Sequence, residues 1–196
     1  LDRTSHRYPL DAPPEHHGKI VLDGTGTFLA CIQSNGSIPV WDAESAERFA
    51  TLELDEKIID IALPRDGPPL LAVGAESGRV WQIDLHSQER RLLTTGPSAA
   101  RTVASSTDGL TVVATGHGWL HVTRDGAVRE HAIDGVRMRG GFVSQDGATF
   151  VAINAHRNGW TGPIVQWSLD DPDPTLRSFR TRHGSSMVAG LSLIHI

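Results

Sequence analysis

One pattern is written four times along this chain, with a period near 42 residues. An Asp-Gly turn precedes a short apolar run, a polar turn closed by Gly follows, and a second apolar run completes the unit. The copies are DGTGTFLACIQSNGSIPVWD (23–42), DGPPLLAVGAESGRVWQID (66–84), DGLTVVATGHGWLHVTRD (108–125) and DGATFVAINAHRNGWTGPIVQWSLD (146–170). Ala30, Ala72, Ala114 and Ala152 end the first runs at intervals of 42, 42 and 38 residues, and are expected at superposable positions. The turn glycines Gly36, Gly78, Gly118 and Gly162 recur at intervals of 42, 40 and 44. Runs such as Phe28-Leu29-Ala30 and Thr149 to Ala152 are short and rich in β-branched and aromatic side chains, as buried strands are. Asp-Gly supplies a tight turn because glycine enters positive φ without a steric penalty.

Two more strand-like runs fill each gap between copies. They are Glu47 to Leu54 with Lys57 to Leu63, Arg90 to Thr94 with Arg101 to Ser105, and Ala127 to Ile133 with Met138 to Val143. Four strands per period, with no sustained apolar stripe at helical spacing, predict an all-β chain of four four-stranded antiparallel units. A period of about 40–45 residues is that of a β-propeller blade. The stretch GSIPVWDAES then resembles the strand close of a WD-repeat propeller, where a glycine turn leads into an apolar strand ending in Trp-Asp. The resemblance covers roughly residues 19–190. It is degenerate: Trp41-Asp42 is matched by Ile83-Asp84, Thr123-Arg124 and Trp167-Ser168. The acidic residue such repeats carry before the turn glycine is replaced by Asn35, Ser77, His117 and Thr161, and no Gly-His pair precedes the repeats. The His–Asp–Ser–Trp network of that family is therefore not expected here.

Propellers close with about four to eight blades, and stacked repeats need neighbours to bury their faces. Seven blades at this period need about 290 residues, so the expectation is an incomplete arc of a larger, seven-bladed ring, with a closed four-bladed ring as the alternative. Residues 1–18, with Pro9, Pro13 and Pro14, read as a linker or the tail of a preceding strand. Residues 19–190 form the blades. Residues 191–196, Leu-Ser-Leu-Ile-His-Ile, break the pattern and resemble a translated sequencing adapter, so they stay outside the fold reading. The chain begins at Leu1, and its true N-terminus is expected to lie further upstream.

The net charge of −5 gives no electrostatic footprint for nucleic acid. No spanning segment or signal peptide is legible, and a cytoplasmic location is expected. Cys31 is the only cysteine, sits in a strand run and reads as a small buried hydrophobe. His16-His17 and the pair His117 and His121 lack a third ligand for zinc, and Asp170, Asp171 and Asp173 among prolines read as a solvated turn. No G-x-S-x-G elbow, P-loop or dinucleotide fingerprint occurs. No cofactor, metal or catalytic residue is expected.

The distinctive departure is the expanded turn of the fourth copy, INAHRNGWTG (153–162), about four residues longer than its counterparts in the first two copies. Insertions at equivalent turns fall on one face of a repeat protein, often the binding face. Trp and Arg dominate interface hot spots. His156, Arg157 and Trp160, with His117 and Trp119 in the corresponding turn of the third copy, are the candidate partner-binding residues. The resemblance implies a non-catalytic scaffold for a protein partner. Two alternatives stay open, a propeller enzyme of the hydrolase or lactonase sort and the sensor domain of a signalling protein. Inward-facing acids at the channel would favour the enzyme.

Overall fold

The computed structural model describes residues 8, 18–64, 70–106, 110–115, 119–124, 127–132, 138–154, 164–170 and 177–179. Sixteen strands fall into four antiparallel sheets, each built from four consecutive strands, and no helix occurs among the described residues. Sheet 1 holds β1 (Ile20–Leu22), β2 (Phe28–Cys31), β3 (Ile38–Asp42) and β4 (Arg48–Leu52). Sheet 2 holds β5 (Ile58–Ala62), β6 (Leu70–Ala75), β7 (Arg79–Asp84) and β8 (Arg90–Thr95). Sheet 3 holds β9 (Ala100–Ser105), β10 (Thr111–Thr115), β11 (Trp119–Arg124) and β12 (Ala127–Ala132). Sheet 4 holds β13 (Met138–Val143), β14 (Thr149–Asn154), β15 (Ile164–Ser168) and β16 (Arg177–Phe179).

The sheets stack in chain order because each offers an apolar layer to the next. Phe28, Ala30, Ile38 and Val40 of sheet 1 meet Ile61, Leu71, Val73 and Ile83 of sheet 2. From the opposite face of sheet 2, Ala62, Ala72 and Val80 meet Ala100, Val103 and Val113 of sheet 3. Val112 and Ala114 then meet Phe150, Ala152, Val165 and Trp167 of sheet 4. Strand side chains alternate between faces, so an inner sheet apolar on both faces has neighbours on both sides. The first strands approach one another, β5 lying beside β9 and β9 beside β13. Gly74 sits where sheets 2 and 3 come closest: a Cβ there would stand 2.5 Å from Val103 Cγ2 and 2.9 Å from Ala100 Cβ.

The register corrects one sequence expectation. Leu29 pairs with Trp41, Leu71 with Ile83, Thr111 with Thr123 and Phe150 with Trp167, so these four pairs are equivalent. Measured from them, Ala30 and Ala72 coincide, facing Val40 and Gln82 one residue before the reference position. Ala152 faces Val165, two residues before it, and Ala114 faces Leu120, three before it. The four alanines are therefore not superposable. A one-residue slip reverses the face of a strand residue, and Ala152 accordingly packs back against sheet 3 whereas Ala30 packs forward onto sheet 2.

Candidate functional site

Of the residues that the sequence singles out for partner binding, His117, His156, Arg157 and Trp160 lie outside the described residues. Trp119 opens β11 opposite Ala132 of β12. The described polar chemistry gathers elsewhere, at the approach of sheets 1 and 2.

Asp60 is the centre of that chemistry. It sits in β5 within the apolar run Ile-Ile-Asp-Ile-Ala and is only 6% exposed. The Ile61 amide donates to its Oδ1 (2.9 Å), and the Val103 amide of β9 donates to its Oδ2 (2.8 Å). Lys19, just ahead of β1, places Nζ 3.0 Å from Oδ1 and 3.2 Å from Oδ2. One carboxylate thus ties sheets 1, 2 and 3 together. The physical cause is an edge problem. β5 and β9 are edge strands, and edge amides without an acceptor carry a penalty when buried. Burial pushes the Asp60 carboxyl above its ordinary value, and the Lys19 charge and the two amides pull in the opposite direction.

Beside this clamp, a cleft of about 660 Å³ opens between the β2–β3 turn and the β4–β5 connection, lined by Gly18, Ile32, Gln33, Asn35, Glu56 and Lys57 among others. Gly36 turns the chain at φ 84°, and the Ser37 amide donates to Asn35 Oδ1 (3.0 Å), closing an Asx turn. Ser37 Oγ lies 3.0 Å from Gln33 Oε1 and 2.7 Å from Asn35 Oδ1. On the opposite wall, Glu56 accepts from Trp81 Nε1 (2.7 Å) and from the Ser77 hydroxyl, and Lys57 pairs with Glu76 at 3.2 Å. These bonds link the β4–β5 connection to the β6–β7 turn, so the cleft wall is held from two sides.

The Trp-Asp signature has a local structural basis. Asp42 Oδ1 accepts from the amides of Glu44 (3.1 Å) and Ser45 (2.8 Å) and from the Ser45 hydroxyl (2.9 Å). Asp84 Oδ1 repeats the arrangement with the amides of His86 (2.9 Å) and Ser87 (2.8 Å). Each turn ends on a residue at positive φ, Ala46 at 59° and Gln88 at 58°. The amides and hydroxyls hold both carboxyls below the usual carboxylate range, the Ser45 and Ser87 amides contributing most. Trp41 is fully buried, with Tyr8 edge-on at 5.8 Å and the Arg48 guanidinium 5.7 Å from its ring centre. Among the described residues the indole Nε1 atoms of Trp41 and Trp167 meet no acceptor. In that respect the tryptophans serve as packing groups.

Cys31 is buried and unpaired with any other cysteine, and burial raises its thiol pKa, in keeping with a packing role. Among the described residues, no group of three His, Cys, Asp or Glu side chains converges as metal ligands. No described helix is long and apolar enough to cross a membrane.

Sequence reasoning passed over Asp60, Lys19 and Glu56. The signal was present for Asp60, because an acid inside an otherwise apolar strand must find partners or remain a costly buried charge. A second signal was Asp42-x-x-Ser45 followed 42 residues later by Asp84-x-x-Ser87. The sequence matches no family model, and a search of curated proteins finds no match.

Proposed function

We propose that the four sheets are successive blades of a WD-type propeller and that the protein is a non-catalytic scaffold whose turns bind a protein partner. The observation that carries this reading is the state of the first strands, which in a propeller surround the channel. β1, β5, β9 and β13 together contain one carboxylate, Asp60. It is engaged by Lys19 and two amides. A hydrolase or lactonase would need free acids or histidines at that place to move protons or hold a metal. Asp60 instead serves as a structural tie. The paired Asp-x-x-Ser turns after β3 and β7 add to the WD-type resemblance. Fold alone does not name a function, so the reading rests on this use of the channel-side chemistry together with the expanded 153–162 turn.

The partner surface in this proposal comprises His156, Arg157, Trp160, His117 and Trp119, and takes no cofactor. Its test uses the full chain with Trp160→Ala and Arg157→Ala, comparing the proteins crosslinked to wild type and to each variant, alongside urea unfolding. The expected result is loss of one and the same crosslinked species in both variants, with stability changed by less than about 0.5 kcal/mol, as at a surface site. Destabilisation by about 3–5 kcal/mol for Trp160→Ala, the scale of a buried aromatic, would make Trp160 a packing residue and remove the proposed anchor.

A further inference from the structure

At the lip of the cleft, Asn35 and Gly36 bring a carboxamide and a backbone amide within reach of each other. Asn35 is exposed. Its Oδ1 accepts from the Ser37 amide at 3.0 Å. Ser37 Oγ has one proton to give, and Asn35 Oδ1 at 2.7 Å is nearer than Gln33 Oε1 at 3.0 Å. The ring closed by the Ser37 amide passes through the Gly36 nitrogen, which is thereby kept beside Asn35 Cγ, a proximity that favours reaction between the two. Gly36 stands at φ 84° and has no side chain to shield that nitrogen. A Cβ built there would have the Glu56 carbonyl oxygen as its neighbour, at 3.9 Å.

The second copy makes the same turn without the reactive group. Ser77 replaces Asn35, its Oγ accepts from the Arg79 amide at 3.3 Å, and Gly78 stands at φ 87°. The turn therefore needs a side-chain acceptor at this place, and a carboxamide is not required for it. What Asn35 adds is chemistry.

We infer that Asn35 is a self-modification site, at which the chain converts its own carboxamide to aspartate and isoaspartate. The Gly36 nitrogen gives its proton to hydroxide and forms a bond to Asn35 Cγ. The carbonyl electron pair moves onto Oδ1, where the two Ser37 donors meet the developing negative charge. Collapse breaks the bond from Cγ to Nδ2, which takes a proton from water, leaves as ammonia and leaves a cyclic imide behind. Water then opens the ring. Opening at Cγ gives aspartate, and opening at the main-chain carbonyl gives isoaspartate, whose backbone runs on through Cγ. Water is consumed and ammonia released, with no oxidant or reductant. The Gly36 amide donates to the Gln33 carbonyl at 3.0 Å, and that bond must open for the first step. Isoaspartate adds a methylene to the main chain at the lip, so the Asx turn no longer closes as before, and a new carboxylate joins Glu56 at the cleft. The inference is independent of the scaffold reading.

Peptide mapping by mass spectrometry tests it on the full chain, incubated folded at neutral and mildly alkaline pH. The peptide holding Asn35 is expected to gain the mass of water less that of ammonia, with an isoaspartyl fraction, and faster at the higher pH. The pair Asn158-Gly159 falls in a different tryptic peptide and is read separately. Ser37→Ala should slow the folded reaction about two- to tenfold, what one net hydrogen bond is worth, and leave the reaction in urea unchanged. Ser37→Thr keeps the hydroxyl and should retain the folded rate. Should Ser37→Ala fail to fold, Ser37→Cys, with its weak donor, takes its place under the same expectation. An Asn35 that stays intact in the folded chain while converting in urea, or a folded rate unaffected by loss of the Ser37 hydroxyl, overturns the inference. Either result leaves the scaffold reading standing, since that reading is decided by the Trp160 comparison.

Discussion

Replacing Asp60 by alanine removes the acceptor for two amides and the partner of Lys19 in one step. The Ile61 and Val103 amides, at 2.9 and 2.8 Å in the native structure, lie on edge strands with no further strand to receive them. Each buried donor left without an acceptor costs about 1–3 kcal/mol. The ion pair adds less, because the Lys19 side chain is 37% exposed and water screens it. Asp60→Ala should therefore destabilise the protein by about 2–6 kcal/mol, the cost of two such orphaned donors. Lys19→Met should cost about 1 kcal/mol or less at neutral pH. Its pH dependence carries the sharper signature. Burial already holds the Asp60 carboxyl above its ordinary 3.8, and loss of the lysine charge raises it further. A raised carboxyl takes up a proton more readily folded than unfolded, so its contribution to stability improves as pH falls through the folded value. The deficit of Lys19→Met should accordingly shrink on acidification, and that of Asp60→Ala should persist. Urea unfolding at neutral and mildly acidic pH measures both. A loss below about 0.5 kcal/mol for Asp60→Ala, the level of an ordinary surface change, would refute the three-sheet clamp.

Gly74→Ala should destabilise by about 1–3 kcal/mol, the cost of overpacking a filled interface, because its Cβ would enter the Val103 and Ala100 side chains; thermal melting checks it, and an unchanged midpoint would mean that sheets 2 and 3 sit further apart. Asp42, Asp84 and Asp146 are held below 3.8 by amide and hydroxyl donors. Their stabilisation is complete above about pH 4 and lost as pH falls toward their folded values. The Asp84→Asn variant should therefore show a flatter fall in melting temperature below pH 4 than wild type, and an identical acid limb would exclude the turn bonds as its source.

The all-β character and the strand count were legible because the signals are local. Every gap run read from the sequence became a strand, from Glu47–Leu54 containing β4 to Met138–Val143 coinciding with β13. Among the described residues the turns at Gly36, Gly78 and Gly147 take positive φ, a choice set by backbone sterics that needs no tertiary partner. The alanine spacing misled at Ala114 and Ala152, because interval in sequence does not count residues inserted in turns, and pairing across strands sets register. Trp41 was legible as the end of a repeat, but its burial beneath Tyr8 and Arg48 was not, since both contacts depend on how the chain returns.

The amino acids alone thus determined the period, the strands, the turns and the alternation of apolar and polar faces, all consequences of side-chain size and backbone freedom over a few neighbours. Only the tertiary structure decided that Asp60 would bind Lys19 and Val103, residues 41 and 43 positions away, and that Ile61 and Leu63 would be buried in sheet 2 while Ile20 and Leu22 stay exposed in sheet 1. The same local pattern produces both environments. Which one a residue meets depends on what packs beside its sheet, and that is a property of the assembled layers.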